Sequence, residues 1–289
     1  MNGRELIEQA VSGPLAPVAD DTRTAVLPSI RLLRAEPGDL VQGNRIGGEP
    51  DLPLGVDWPE WQGRPLAFLA QIELGAIPDV QPGRDLLPAG GQLAFFYDAE
   101  PERQPWGFDP ADRGSGRVIH VPAGAAVERH EAPARLPREN LYEPGDLVPR
   151  VELTLPWPDA PAAPDLPLST ELRDAYLDLL EALSSSYGDE DAPRHRLLGH
   201  PDQLQGPMQT ECQLVSNGLY TGDSSGWEDP RAPELLEAAP EWRLLLQLDS
   251  EIAPSEVMWG DDGRVYFWAR ERDLRAGVFD AGWTVLQCG

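Results

Sequence analysis

The chain has 289 residues and a formal charge of −26, from 49 acidic side chains against 23 basic ones, and every basic one is an arginine. No apolar run approaches the ~20 residues of a membrane span, and so acidic a chain repels nucleic acid and anionic membranes while favouring basic partners. The first residues carry neither the basic nor the continuous apolar stretch of a signal peptide, so a cytoplasmic location is expected.

Residues 1–24 read as an N-terminal helix and its lead-in: in "RELIEQAV", Leu6, Ile7, Ala10 and Val11 share one helical face. Residues 25–155 read as a first strand-rich repeat, cut by proline and glycine. Residues 156–194 hold a proline-rich crossing and then the clearest helix, where Leu172, Ala175, Tyr176, Leu179, Leu180 and Leu183 recur at helical spacing. Ser169 or Thr170 is placed to cap its start and Gly188 lies past its end; its single apolar stripe is expected to pack on a sheet. Residues 195–289 read as a second strand-rich repeat, broken by a short helix near "PELLEAA". The expected fold is mainly β and roll-like, with a few helices and two internally related repeats in one compact domain. Cys212 and Cys288 are expected to be free thiols, since two cysteines without repeated spacing do not make a disulfide scaffold.

The repeat rests on "PLAFLAQIEL" and "WRLLLQLDSE". Aligning Gln71 on Gln247 matches Leu66, Phe68, Ala70 and Ile72 to Trp242, Leu244, Leu246 and Leu248, and strand alternation places each set on one face. The opposite face then carries Gln71 and Glu73 in one copy and Gln247 and Asp249 in the other. Downstream, "PAGGQLAFFYD" and "GDDGRVYFWAR" each read as a glycine-bearing turn and a strand, with Leu93, Phe95 and Tyr97 answering Val265, Phe267 and Ala269. Upstream, "IGGEPDLP" is similar to "LLGHPDQL". A primary amide inside an apolar strand must find partners or cost a few kcal/mol. The expected role of Gln71 and Gln247 is to bridge backbone groups where sheets or repeats meet. The functional counterpart is a shared groove lined by Gln71, Glu73, Gln247 and Asp249.

Other motifs carry less. "GDSSG" (222–226) fits the nucleophile-elbow pattern around Ser224, but Pro230 and Pro233 stand where a helix must follow, and no histidine comes after it in the chain. A surface loop is expected instead. His195 and His200 lack the spacing of a zinc helix, and Asp261 and Asp262 lack the further ligands of a calcium loop, so neither a metal nor a cofactor is expected. Trp227, beside Glu228 and Asp229, and Trp259, beside Asp261, fall among loop residues where aromatic rings anchor partners.

"RIGGEPDLPLGVDWPEWQGRPLAFLAQIEL", "LPAGGQLAFFYD", "HRLLGHPDQLQGPMQTECQLVSNG", "LLLQLDS" and "WGDDGRVYFWARERDL", taken in order, resemble the YwqG-like family over residues 28–289. The resemblance implies a mainly β, roll-like fold with internal pseudo-repeats. It implies no mechanism and transfers no functional residue; an association with immunity against bacterial toxins is the one functional hint it brings. The expected function is protein-partner binding, with an acidic surface occluding a basic effector. The alternatives are a small-molecule-binding protein or a carboxylate-dependent hydrolase using Glu73 and Asp249, which requires those carboxylates to converge in a concave pocket.

Overall fold

The structure is a computed structural model that describes residues 2–100, 103–161, 163, 169–187, 192–251 and 257–289. Gly188 and part of the proline-rich crossing lie outside the described residues. The strands are β1 (Leu27–Arg34), β2 (Arg45–Ile46), β3 (Asp51–Pro53), β4 (Glu60–Trp61), β5 (Arg64–Pro65), β6 (Ala67–Glu73) and β7 (Gln92–Tyr97). They continue with β8 (Gly116–Val121), β9 (Val127–Arg129), β10 (Gly145–Thr154), β11 (Arg196–Leu197), β12 (Trp242–Asp249), β13 (Arg264–Arg270) and β14 (Trp283–Gln287). The helices are α1 (Gly3–Val11), α2 (Ala19–Ala25), α3 (Thr170–Ser185), α4 (Met208–Ser216), α5 (Ala232–Leu236) and α6 (Glu271–Arg275).

Ten strands form one antiparallel sheet in the order β14-β13-β12-β11-β1-β10-β2-β6-β7-β8. The sheet curls until its ends nearly meet. Phe95 of β7 and Phe267 of β13 stand near opposite ends of that order, yet their rings pack edge-on with centroids 5.2 Å apart. Beyond them, the Leu286 N–H of β14 donates to the Trp106 carbonyl at 3.1 Å. The enclosed apolar core includes Ile30, Leu32, Ala70, Ile72, Leu246 and Leu248.

The order has a centre. β2, β6, β7 and β8 run outward on one side, and β11, β12, β13 and β14 run outward in the same succession on the other. The registers correspond: Arg45 pairs with Gln71 and Ile46 with Ala70, while Arg196 pairs with Gln247 and Leu197 with Leu246. The central strands are exchanged. β1, which precedes the first half in the chain, pairs with β11 of the second, and β10, which precedes the second half, pairs with β2 of the first. Eight residue pairs from Leu27↔Thr154 to Arg34↔Leu147 join β1 to β10.

One expectation about these strands is corrected. Leu66, Phe68, Ala70 and Ile72 do not share a face, because the β6–β7 register shifts between Phe68 and Ala70; β12–β13 shifts likewise between Leu244 and Leu246. The extra residue at a bulge reverses the alternation. Leu66 and Phe68 therefore pack on the outer face with Phe96, while Leu69, Ala70 and Ile72 enter the interior. Trp242 and Leu244 face outward, and Leu245, Leu246 and Leu248 inward.

Different elements cover the outer faces. The β4–β5 hairpin brings Trp61, with Trp58 beside it, over Phe68 and Phe96. On the other side α4 sets Met208, Cys212 and Val215 against Trp242, Tyr266 and Trp268. The polar sequence "MQTECQLVS" gave no expectation of this helix, although those three side chains recur at one-face spacing. At the centre α1 and α3 pack together through Ile7, Val11, Tyr176, Leu179 and Leu183, with Leu155 just past β10. The α1 capping box is made by Asn2 and Glu5, and Ser169 caps α3. Cys212 is buried, Cys288 is half-buried, and both are free.

Candidate functional site

The two glutamines organise equivalent turns. The Gln71 carboxamide oxygen accepts from the Asp51 N–H at 2.9 Å and from the Arg45 guanidinium at 2.9 Å. Arg45 also donates to the Asp51 carboxylate at 2.9 Å and to the Glu49 carbonyl at 2.7 Å. In the second half the Gln247 oxygen accepts from the Asp202 N–H at 2.9 Å, and its amide donates to the Arg194 carbonyl at 2.7 Å. Arg196 donates to the Asp202 carboxylate at 3.3 Å and to the His200 carbonyl at 2.8 Å. The Gln247 amide thus bridges two backbone groups, while the Gln71 amide joins the Asp51 N–H to the Arg45 and Asp51 side chains; both act within their own half, inside a single sheet rather than between two. The matched segments "IGGEPDLP" and "LLGHPDQL" contain Asp51 and Asp202, but Arg45 and Arg196, each one residue before its segment, went unnoticed in the sequence.

The correspondence reaches the acids two residues on. The Glu73 N–H donates to Asn44 Oδ1 at 2.8 Å, and the Asp249 N–H to His195 Nδ1 at 3.1 Å. Gln71 and Gln247 are 3% and 0% exposed, so their amides are committed to the turns. Glu73 and Asp249 do not converge. β6 and β12 are separated by β2, β10, β1 and β11, about 24 Å along the sheet at the usual strand spacing. With Ala70 and Ile72 in the core, Gln71 and Glu73 project from the outer face. Asp249 already accepts from Arg264 at 2.9 Å and from the Arg194 N–H at 2.8 Å.

A buried ionic layer crosses the centre of the sheet. Arg31, Glu152 and Arg196 are at most 2% exposed; Glu152 lies 3.7 Å from Arg31 and accepts a hydrogen bond from Arg196. Ser184 of α3 closes the layer by donating to Asp202 at 3.0 Å. Burial pushes the Asp202 carboxyl up, but the guanidiniums of Arg196, Arg264 and Arg194 outweigh it and hold the group at about 2. Asp51 is likewise pushed up by burial and brought below its ordinary value by Arg129 and Arg45. A group of three or more metal-ligating side chains is absent among the described residues.

The candidate partner contacts divide. Trp259 is 1% exposed and its ring packs between Tyr97 and Tyr142, at 5.9 and 5.8 Å. Its place beside Gly260 and Asp261 suggested a loop surface, but the ring turns into the core, leaving Asp261 exposed. Trp227 is 41% exposed and its indole N–H donates to the Thr221 carbonyl at 3.3 Å. Tyr220, 38% exposed, packs its ring edge-on against Phe108. These aromatics belong to a lobe outside α4, held by Leu214, Leu219 and Ala232 with Leu235 and Leu236. From Leu219 to Glu241 the lobe carries Asp223, Glu228, Asp229, Glu234, Glu237 and Glu241 against one cation, Arg231, which is paired with Asp229 at 2.9 Å. All six acids but Asp229 are exposed. Ser224 of "GDSSG" is exposed on this lobe, where Asp223 caps the Ser225 N–H at 2.8 Å, and α5 begins only at Ala232.

These features define a mainly β protein built on one nearly closed antiparallel sheet, with paired Arg–Asp–Gln turns and no described helix long and apolar enough to cross a membrane. The chain belongs to the family described as Domain of unknown function (DUF1963), whose model matches residues 44–288. No curated protein matches it.

Proposed function

We propose that the protein is a cytoplasmic binding protein of the YwqG-like kind, whose acidic lobe docks a basic protein partner in an immunity or antitoxin-like role. The observation that carries this reading is the lobe of residues 219–241. It carries five exposed carboxylates and two exposed aromatic rings, with its one arginine already neutralised by Asp229. Aromatic anchors on a lobe with charge of one sign combine the two ingredients of a steered interface, contact area and long-range attraction.

The test is the association rate of a partner captured from the native host. It should fall roughly tenfold or more between low and high salt, since exposed charges are screened beyond a Debye length of about 8 Å at physiological ionic strength. Glu228→Gln with Glu234→Gln and Glu237→Gln should slow association, and Trp227→Ala should speed dissociation. An on-rate indifferent to both salt and the triple substitution would refute the reading.

A further inference from the structure

α1 and α3 pack together through Ile7, Val11, Tyr176, Leu179 and Leu183, but their outer edges do not close on one another. A groove of about 500 Å³ lies between them, open to solvent. Its floor is made by Leu6 and Ala10 of α1 and by Ala175, Leu179 and Ala182 of α3. Each set recurs at one-face spacing, so the apolar strip is continuous along both helices. The alanines make the hollow, since a longer side chain at any of them would fill it. From Glu171 to Ala182 the α3 wall runs about 16 Å, or three helical turns.

That wall carries charge of one sign. Glu171, Asp174 and Asp178 line the groove beside the alanines, and all three are exposed. None has an ion-pair partner among the described residues, and no cation among them lines the groove. The nearby arginines are committed elsewhere, Arg173 to Asp159 at 2.6 Å and Arg23 to Glu8 at 2.9 Å. A second copy of the chain docked symmetrically would bring these carboxylates against one another, and an anionic occupant would meet them too. A purely polar cation would leave the apolar strip in water. What complements both features is an apolar ridge flanked by positive charge, the pattern of an amphipathic helix laid in a groove.

We infer that the α1–α3 groove binds a basic amphipathic helix of a protein partner. Leucine-like side chains at i, i+4 and i+7 would cover the apolar strip, and lysine or arginine would face the α3 acids. The groove is a different surface from the acidic lobe of residues 219–241, and the inference stands whether or not the lobe binds a protein.

The probe is a fluorescein-labelled helical peptide of about 14 residues, with leucines at that spacing and lysines along one flank. A second peptide replaces the lysines with glutamates and should bind at least tenfold more weakly by fluorescence anisotropy. The lysine peptide should shift the methyl resonances of Leu6 and Ala182 more than those of Leu235 and Leu236 in the acidic lobe. Ala175→Leu fills the groove from a half-exposed position and suits a helix; it should weaken the lysine peptide at least tenfold. Asp174→Asn with Asp178→Asn should weaken it several-fold. Glu131→Gln with Glu139→Gln removes as much charge from exposed positions between β9 and β10 and should change binding less than twofold. Equal losses from the two pairs would show attraction to net charge alone and overturn the inference. Unchanged binding by Ala175→Leu, or methyl shifts confined to the lobe, would overturn it as well. So would a dimer in sedimentation that Ala175→Leu dissolves, which makes a second copy the occupant.

Discussion

The two halves of the sheet share one hydrogen-bonding plan and clothe it differently. In the first, the Asp51 turn is closed by Arg129, donating at 2.7 Å from β9, and the outer face is roofed by a hairpin rich in tryptophan. In the second, the Asp202 turn lies under α3 and the outer face under α4, with a further acidic lobe beyond. Asn44 on one side has His195 as its counterpart on the other, and Gln92, donating to the Asp51 carbonyl, has Arg264, donating to the Asp202 carbonyl at 3.0 Å. The residues common to both halves are the glutamine, the turn aspartate and the arginine that bonds to it. All three satisfy buried backbone or buried charge, where a missing partner costs most. What differs is the covering, and among the described residues the second side alone holds the two buried histidines and the carboxyl of Glu211, pushed up to about 7.

The largest test of the comparison is to cut the chain between the halves. Because β1 lies against β11 and β10 against β2, neither half contains the strand that completes its own side. Residues 1–144 and 145–289, produced separately, should each lack a cooperative unfolding transition. Mixed, they should recover one together with native near-ultraviolet circular dichroism. A cooperative transition from either fragment alone would show that the exchange of central strands does not bind the halves together.

The halves should also separate in pH dependence. Burial pushes His195 and His200 down to about 4 and pushes Glu211 up to about 7, with the Thr221 hydroxyl opposing the latter. The first half holds no buried histidine among the described residues. For the histidines, the unfolded chain takes up protons near 6.5 and the folded one near 4. Their contribution is complete above 6.5 and falls by about 3 kcal/mol each as pH drops to 4. Glu211 runs the other way: its stabilising term is complete below about 4.5 and is lost, by about 3 kcal/mol, as pH rises through 7. Glu211→Gln should therefore raise stability by up to about 3 kcal/mol at pH 8 and by almost nothing at pH 4.5, leaving the acid-side loss of the histidines in plain view. Urea unfolding of both proteins from pH 4 to 8 measures this; an equal gain at both ends would assign the effect to packing rather than ionisation. Asp202, held at about 2, loses its contribution only as pH falls from about 4 through 2 and does not disturb this window.

Much of this plan was legible in the sequence. Gln71 and Gln247, the apolar residues around them and the Gly–x–Pro–Asp turns upstream mark corresponding strands because strand period and turn chemistry are local. The bulges at Leu69 and Leu245 were not legible: both are leucines in leucine-rich runs, and which one leaves the ladder is decided by the neighbouring strand. The exchange of β1 and β10 escaped for the same reason, since strand pairing across more than a hundred residues leaves no local pattern. α4 was missed because Gln209, Thr210, Glu211 and Gln213 outnumber its core-facing residues. Of the proposed contacts, Trp227 could be placed by its acidic neighbours. Trp259 could not, because a tryptophan beside a glycine turn has equal access to core and solvent. His195 carried no signal until Asp249 fixed which of its nitrogens bears the proton.

The smallest expected effect concerns the turn after the short strands. Gly47 and Leu198 occupy corresponding positions with φ of 66° and 62°, a left-handed conformation that suits glycine and strains leucine by about 1–2 kcal/mol. At Gly47 a Cβ would meet the Glu143 carbonyl oxygen at 2.4 Å, so no side chain fits. At Leu198 the side chain is 2% exposed and part of the enclosed core, beside Gly83. The burial of that leucine, roughly 2–3 kcal/mol, offsets its backbone strain. Leu198→Gly loses the burial and adds up to about 1 kcal/mol of chain entropy, but it releases the strain. The net destabilisation should be about 2 kcal/mol, at or below the bottom of the range for truncating an unstrained core leucine. Chemical denaturation beside Leu248→Gly, whose backbone pairs regularly with Val265 and whose side chain lies in the same core, gives the reference. Equal losses at the two positions would mean that the left-handed turn stores no strain and that the two halves differ there only in filling.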